Sequence, residues 1–175
     1  MAILKSKKPI VGLVRGMAIG ISFTTAALFD FIYCTPEASF YTPFMNSFQS
    51  PEGASTFTFP AQFGQRKAAE ILLLDKRVTA QEAVQCGFAN GIIDDLNNTD
   101  YWPDLSKIPA LQKLAATDYR TLLNCKQLMN AARDNATFEA TVVREARALV
   151  ETWLDEDFPP KLLKFMQSLK KNKKP

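Results

Sequence analysis

Glu52 is the residue of this sequence best suited to acid–base chemistry. It is the only charged residue within residues 40–60, a stretch that is dense in bulky apolar side chains. These neighbours are Phe40, Tyr41, Pro43, Phe44, Phe48, Phe57, Phe59 and Pro60. A carboxyl group among such side chains is expected to have a raised pKa, which suits proton transfer near neutral pH.

A purely structural role for Glu52 is the alternative. Ser50, Pro51 and Glu52 form a helix-start pattern, in which the serine caps free backbone N–H groups and the proline takes the first helical position. An acid in the first turn is favoured by the helix dipole. The pattern predicts that a helix begins here, and this structural role would be sufficient reason for a glutamate at position 52.

The composition narrows the available chemistry. The 175 residues include no histidine, which excludes Ser-His-Asp and Cys-His mechanisms and zinc sites built on imidazole. Three widely spaced cysteines, Cys34, Cys86 and Cys125, fit buried thiols in a reducing compartment. Acid–base chemistry therefore falls to carboxylates, lysines or tyrosines.

Charge is concentrated at the end of the chain. Residues 161–175 contain six lysines and no acid, whereas residues 1–160 carry 15 basic and 18 acidic side chains. A solvated helix end is the simpler interpretation and a phosphate contact is the alternative; no nucleic-acid-binding motif is present. The uncharged run from Gly16 to Phe29 is too short to cross a bilayer, so no membrane span is predicted.

The elements before Glu52 form a pattern that can hold an anion. Ile10–Val14 predicts a buried strand, Arg15–Ser22 a turn with two glycines, and Phe23–Phe29 a buried helix. Such a turn directs backbone N–H groups at an anion, although two turn glycines can equally reflect tight packing. The spacing matches neither the phosphate loop of nucleotide hydrolases nor the dinucleotide fingerprint, so a developing oxyanion is the favoured ligand.

The remaining elements are predicted from periodicity and turn signals. Thr79 and Glu82 form a capping box that opens a helix, which Gly87 closes. Asp94–Ser106 is a polar loop and the predicted boundary between the core and three C-terminal helices. The predicted core elements are strands at Phe31–Cys34, Ala38–Tyr41 and Ile92–Ile93 and a helix at Gly64–Leu74.

The three C-terminal helices each carry a predicted apolar stripe, read as core or as subunit contact. The first stripe is Leu122, Cys125, Met129 and Ala132; the second is Phe138, Val142, Ala146, Leu149, Val150 and Trp153; the third is Leu162, Phe165, Met166 and Leu169. Pro159 and Pro160 are predicted to break the second helix.

Three segments in sequence resemble the crotonase superfamily, and within it the Δ3,Δ2-enoyl-CoA isomerases. They are Gly16-Met17-Ala18-Ile19-Gly20-Ile21-Ser22, then Ala38-Ser39-Phe40-Tyr41-Thr42-Pro43-Phe44, then Gln49-Ser50-Pro51-Glu52-Gly53-Ala54-Ser55. The later run from Val78 to Ala89 is also similar, and the resemblance covers residues 8–94 well and the C-terminal helices loosely.

The resemblance implies an α/β fold, a crotonase-like spiral of ββα units that is N-terminally shortened and followed by a helical C-terminal segment. Residues 1–106 would be the C-terminal portion of the core and residues 107–175 the helical segment of the same domain. The family domain begins upstream of residue 1, in a part that carries the first oxyanion donor.

The resemblance also implies roles for individual residues. Glu52 would move a proton from C2 to C4 of a 3-enoyl-CoA in unsaturated fatty acid β-oxidation, and the backbone N–H of Ile21 would be an oxyanion donor. These roles call for no metal and for no cofactor, since CoA is part of the substrate. The two glutamates of enoyl-CoA hydratases match Thr24 and Phe44, so hydration is not expected. The substrate-binding residues implied are Ala18, Gly20, Pro43, Phe44, Lys161 and Lys164, the last two for the CoA phosphates.

The resemblance leaves the activity open. The turn Arg15-Gly16-Met17 replaces the usual Asn-Gly-Pro, and the shortened start favours a non-catalytic module that binds acyl-CoA or a protein. Related proteins imply a homotrimer and a peroxisomal or mitochondrial location, although the ending Lys173-Lys174-Pro175 is not a peroxisomal signal.

Overall fold

The computed structural model describes residues 3–94 and 105–171. Within these ranges the chain forms short parallel strands that alternate with helices, followed by a helical C-terminal part. No helix in the described ranges is both long and apolar enough to span a bilayer.

The core is a coil of strand–strand–helix units. The first unit is β1 (Val11–Val14), β2 (Met17–Ile19) and α1 (Ile21–Ala26). The second begins with β3 (Phe31–Cys34) and β4 (Ser39–Tyr41). β1 pairs in parallel with β3, and β2 pairs in parallel with β4, so each turn of the coil lies on the preceding one. This arrangement confirms the predicted ββα spiral.

The second unit continues into two helices and a small closing region. The remaining core elements are α2 (Ser55–Phe63), α3 (Gln65–Leu73), β5 (Val78–Thr79), α4 (Ala80–Gln85) and β6 (Gly91–Ile92). β6 pairs in parallel with β3, whereas β5 pairs antiparallel with β4. The capping box predicted at the start of α4 is confirmed, because the side chains of Thr79 and Glu82 each accept from the other's backbone N–H.

Phenylalanines fill the space between the strands and the helices. Phe23 on α1 has its ring 5.3 Å from that of Phe40 on β4 and 4.7 Å from that of Phe59 on α2. Phe88 packs edge-on against both Phe23 and Phe40. This cluster packs α1 and α2 against the sheet formed by β2, β4 and β5, and so holds in place the loops that enter each helix.

Two predictions for the first unit need correction. Met17–Ile19, predicted as turn, is the strand β2, in which Ala18 is buried while Met17 and Ile19 are exposed. The following helix begins at Ile21, not Phe23, and ends at Ala26. Alternation over only three residues gives too weak a signal to separate a strand from a turn.

The predicted helix start at Ser50 is also wrong. α2 begins at Ser55, after Ala54 in a left-handed conformation, and Glu52 lies in the turn before it. The hydroxyl of Ser50 caps no N–H group and has no hydrogen-bond partner among the described residues. Gly53 and Ala54, with φ of 69° and 60°, redirect the chain before the helix can begin.

After a 3-10 turn at Leu105–Lys107, the described residues of the C-terminal part form helices joined by short connections. Its helices are α5 (Pro109–Ala115), α6 (Tyr119–Ala131), α7 (Asn135–Leu154) and α8 (Phe158–Lys171). Pro159 and Pro160 lie in the first turn of α8 and do not break α7, which ends at Leu154. Most of the predicted boundary loop falls in residues 95–104, outside the described residues.

The apolar stripes predicted on α6 and α7 are only partly buried. Phe138 and Leu149 are buried on α7, but Val150 and Trp153 are exposed. The face that α7 buries also includes Glu145, and α6 buries Lys126 instead of its predicted stripe. Both charged residues have partners in the core, which a periodicity of apolar residues cannot reveal.

Candidate active site

The turn between β2 and α1 is held by its backbone. Gly20 has φ 58° and ψ −123°, a conformation that glycine tolerates and other residues avoid. Its N–H donates to Tyr41 O at 2.8 Å, and its C=O accepts from the N–H groups of Phe23 and Thr24. The N–H of Ile21, the first of α1, has no acceptor among the described residues.

Glu52 reaches this turn from the second unit of the coil. Its Oε1 lies 3.8 Å from the position that a Cβ on Gly20 would occupy. The adjacent Gly53 lies so close to α1 that a Cβ there would be 2.4 Å from Thr24 Oγ1 and 3.4 Å from Ile21 Cδ1. The structure therefore brings together Glu52, Gly20 and Ile21, three of the residues predicted for the site.

The pKa of Glu52 is raised above its usual range, as the sequence predicted. Burial of the carboxyl group is the main cause, and the negative charge of Glu145 adds to it. The effect of burial was predicted from the aromatic residues near Glu52 in the sequence. The effect of the Glu145 charge was not predicted, because Glu145 lies 93 positions further along the chain.

Glu145 is the residue of the site that the sequence analysis missed. It is 7% exposed on α7, and its Oε2 accepts from Ala54 N at 2.6 Å. Its Oε1 accepts from Thr56 N at 2.9 Å and from Thr56 Oγ1 at 2.6 Å. Glu145 thus caps the start of α2, the role that had been predicted for Ser50.

A second carboxylate orders the loop that carries Pro43 and Phe44. Asp75 accepts from Met45 N at 3.0 Å and from Asn46 N at 2.6 Å, and its own φ is 51°. The loop buries Phe44 to 3% exposure and leaves Pro43 half-buried. A lone aspartate after a helix gives no sequence signal for this contact.

A cavity of about 400 Å³ lies between this loop and the C-terminal helices. Its wall includes Phe44, Phe48 and Ser50 from the loop and Thr152, Phe158 and Lys161 from α7 and α8. Lys161 also pairs with Asp157, with Nζ 3.5 Å from Oδ2. Lys164 is exposed and does not line the cavity, so the structure separates the two predicted lysines.

The two positions matched with hydratase glutamates carry no acid. Thr24 is fully buried, and its hydroxyl donates to Ile21 O at 3.3 Å, so it is committed to α1. Phe44 has a hydrocarbon side chain and therefore no acid or base to offer. Within the described ranges no group of three or more His, Cys, Asp or Glu side chains could hold a metal ion.

A family model described as "Enoyl-CoA hydratase/isomerase" matches residues 1–173. The chain belongs to this family. Its fold is that of the solved family members: an enoyl-CoA hydratase/isomerase from Pseudoalteromonas atlantica T6c superposes with a TM-score of 0.84 at 24% identity, covering 95% of this chain and 65% of that one.

Curated relatives include isomerases. Enoyl-CoA delta isomerase 2 of Rattus norvegicus is 34% identical over 160 residues, 91% of this chain and 39% of the relative. Enoyl-CoA delta isomerase 3, peroxisomal, of Mus musculus is 41% identical over 99 residues, 56% of this chain and 31% of the relative. A chromodomain Y-like protein of Rattus norvegicus is 29% identical over 173 residues, 94% of this chain and 27% of the relative. The chain thus spans less than two fifths of the length of these relatives.

Proposed function

We propose that this protein is a Δ3,Δ2-enoyl-CoA isomerase. The observation that carries the proposal is the position of Glu52, whose carboxylate lies beside the turn that presents the Ile21 N–H. The two relatives named enoyl-CoA delta isomerase support it. A base next to a backbone donor is the minimum required to form and stabilise an enolate from a thioester.

The proposed reaction moves one proton within the substrate. The Glu52 carboxylate removes a proton from C2 of 3-enoyl-CoA, and the electron pair delocalises onto the thioester oxygen and the C3–C4 double bond. The Ile21 N–H donates to that oxygen while it carries negative charge. The protonated Glu52 then returns the proton to C4, which leaves the double bond between C2 and C3.

The raised pKa of Glu52 suits both halves of this exchange. A carboxyl group of ordinary acidity would be a poor base at neutral pH, whereas a raised pKa improves its ability to accept the proton. Since every proton is assigned to Glu52, the proposal calls for no cofactor. Hydration would need a further group to activate water, and neither Thr24 nor Phe44 can do this.

The cavity between the 44–50 loop and α8 is the proposed site for part of the acyl-CoA. Its wall is largely apolar near Phe44 and Phe48 and carries the cation of Lys161 at its edge. Ala18 and Gly20 would border the thioester, and Pro43 and Phe44 the bound chain. We assign Lys161, at the edge of the cavity, and Lys164, on the same helix outside it, to the CoA phosphates.

The assembly and the location are further proposals. Apolar side chains that are half or more exposed on the C-terminal helices, Leu128, Trp153 and Leu163, support self-association into the trimer implied by the resemblance. Sedimentation of the purified chain tests this. The name of the Mus musculus relative, a peroxisomal enoyl-CoA delta isomerase, supports a peroxisomal location, with the mitochondrion as the other candidate.

The test of the activity is direct conversion of a 3-enoyl-CoA by the purified chain, with the products separated by chromatography. Formation of 2-enoyl-CoA supports the proposal. Formation of 3-hydroxyacyl-CoA in proportion to protein would instead indicate a hydratase. Binding of acyl-CoA without any product would indicate a non-catalytic binding module.

A further inference from the structure

The start of α2 depends on a side chain from the opposite end of the chain. The N–H groups of Ala54 and Thr56 both donate to Glu145, which α7 holds 7% exposed. Among the described residues no lysine or arginine pairs with this carboxylate. Glu145 is therefore kept in place by N–H and O–H donors and by the positive end of the α2 dipole.

The turn that Glu145 holds is strained. Gly53 and Ala54 have φ of 69° and 60°, and Phe48 a few residues earlier has φ 57°. Left-handed conformations of non-glycine residues cost about 1–2 kcal/mol each, so this turn persists only where its surroundings stabilise it. The three hydrogen bonds to Glu145 come from Ala54, which directly follows Gly53, and from Thr56, two residues later, so they stabilise the turn where it enters α2.

Glu52 is directly attached to this turn. The Ala54 N–H that donates to Glu145 is two residues from Glu52, and the Gly53 between them is pressed against Thr24 and Ile21. A shift of Ala54 would carry the Glu52 carboxylate away from Gly20. We propose that Glu145 is a positioning residue for Glu52, fixing the Gly53–Ala54 turn so that the Glu52 carboxylate faces the Ile21 N–H.

This inference rests on the proposed isomerase function for its catalytic consequence only. Among the described residues, Gly20 from the turn before α1 lies against the Glu52 carboxylate, and Glu145 on α7 acts on that carboxylate through its charge. Glu145 therefore acts on Glu52 in two ways, through the geometry of the turn and through its charge. Removal of the charge alone should lower the pKa of Glu52 towards its usual value.

The test compares Glu145→Gln with Glu151→Gln in the full chain. Glu151 is an exposed acid on the same helix, so its variant removes an equal charge without touching the turn. For Glu145→Gln we expect kcat to fall about 10- to 100-fold with little change in KM, because a displaced base impairs the chemical step more than binding. The acid limb of the pH profile should move to lower pH. Glu151→Gln should match the wild type in kcat, in KM and in the position of the acid limb.

A second variant covers the case in which Glu145→Gln does not fold. Thr56→Val keeps the backbone N–H but removes the hydroxyl that donates to Glu145, and Thr56 is exposed. We expect a smaller fall in kcat in the same direction. If Glu145→Gln does not fold, wild-type kinetics for Thr56→Val would overturn the inference. If it folds, wild-type kinetics for both variants would overturn it.

Two readouts need no turnover and separate this inference from the isomerase proposal. Amide hydrogen exchange at Ala54 and Thr56 should accelerate in Glu145→Gln and not in Glu151→Gln. The ¹³C-detected titration of Glu52 should shift to lower pH in the same variant alone. If both changes occur but the wild type shows no isomerase activity, the proposed function fails while the positioning contact stands. If neither occurs, the positioning role is wrong whatever the activity.

Discussion

The carboxylate of Glu52 lies against Gly20, with Oε1 3.8 Å from the position a Gly20 Cβ would take. The two residues come from successive turns of the coil, and their proximity places a base with a raised pKa beside the first N–H of α1. The conformation of Gly20, φ 58° and ψ −123°, sets the start of α1, whose first N–H has no acceptor among the described residues.

Gly20→Ala should therefore abolish most turnover. Alanine resists this backbone conformation, so the turn must change and the Ile21 N–H with it. Loss of one oxyanion donor typically reduces kcat about 10²–10³-fold. Gly16→Ala is the matched control, because Gly16 also has a positive φ, 66°, but has open space around it and lies away from Glu52. Equal turnover in the two variants would show that strain alone explains the loss.

Glu52 should lower stability at neutral pH. Its folded-state pKa is raised above 4.5, so the native protein disfavours the ionised form. Well below its ordinary pKa the carboxyl is protonated in both the folded and unfolded states, and the penalty is absent. As the pH rises through the folded-state pKa, the penalty develops in full. Thermal melts should show Glu52→Gln more stable than the wild type at pH 7, and the difference should vanish towards pH 4. A constant difference across this range would contradict the assignment.

The ion pair of Lys126 and Asp30 should be the strongest polar tie between the C-terminal helices and the core. Lys126 Nζ lies 2.5 and 2.7 Å from the two Asp30 oxygens, and the side chains are 3% and 6% exposed. Lys126→Met leaves the buried Asp30 carboxylate with the Ile10 N–H and the more distant Arg133 guanidinium, 3.8 Å away, as its partners, and should cost about 3 kcal/mol of unfolding free energy. Denaturant unfolding measures this loss, and the exposed Lys113→Met should show none. A double variant that adds Asp30→Asn should recover part of it.

Lys161 and Lys164 should differ in their effect on CoA binding. Lys161 lines the cavity beside Phe44, whereas Lys164 is exposed on the same helix. Calorimetry at two salt concentrations should show that Lys161→Gln weakens CoA binding and its salt dependence more than Lys164→Gln does. Equal effects, or an affinity independent of salt, would show that the cavity is not where the phosphates bind.

The fold was predictable from the sequence where local signals were strong. The strand at Phe31–Cys34 and the Thr79–Glu82 capping box are encoded by neighbouring residues and were found at those positions. The helix start at Ser50 was not, because a left-handed turn at Gly53 and Ala54 overrides the Ser-Pro-Glu pattern.

The candidate site was also predictable only in part. The raised pKa of Glu52 follows from its aromatic surroundings, whereas the roles of Gly20 and Ile21 were implied by the family resemblance. Glu145 and Asp75 act on segments 91 and 30 residues away, respectively, so nothing in their own sequence neighbourhoods indicates these contacts. The burial of Lys126 depends on its pairing with Asp30 in the core, and a lysine on a helix would otherwise be expected to face solvent.

The most direct test of the account is the turnover of 3-enoyl-CoA by the wild type and by Glu52→Gln, measured side by side at neutral pH. Glutamine keeps the shape of the side chain and removes the base, so the account predicts a fall in kcat of about 10²–10⁴-fold with acyl-CoA binding retained. Isomerisation by Glu52→Gln at the wild-type rate would contradict it, because the proton would then be moved by some other group.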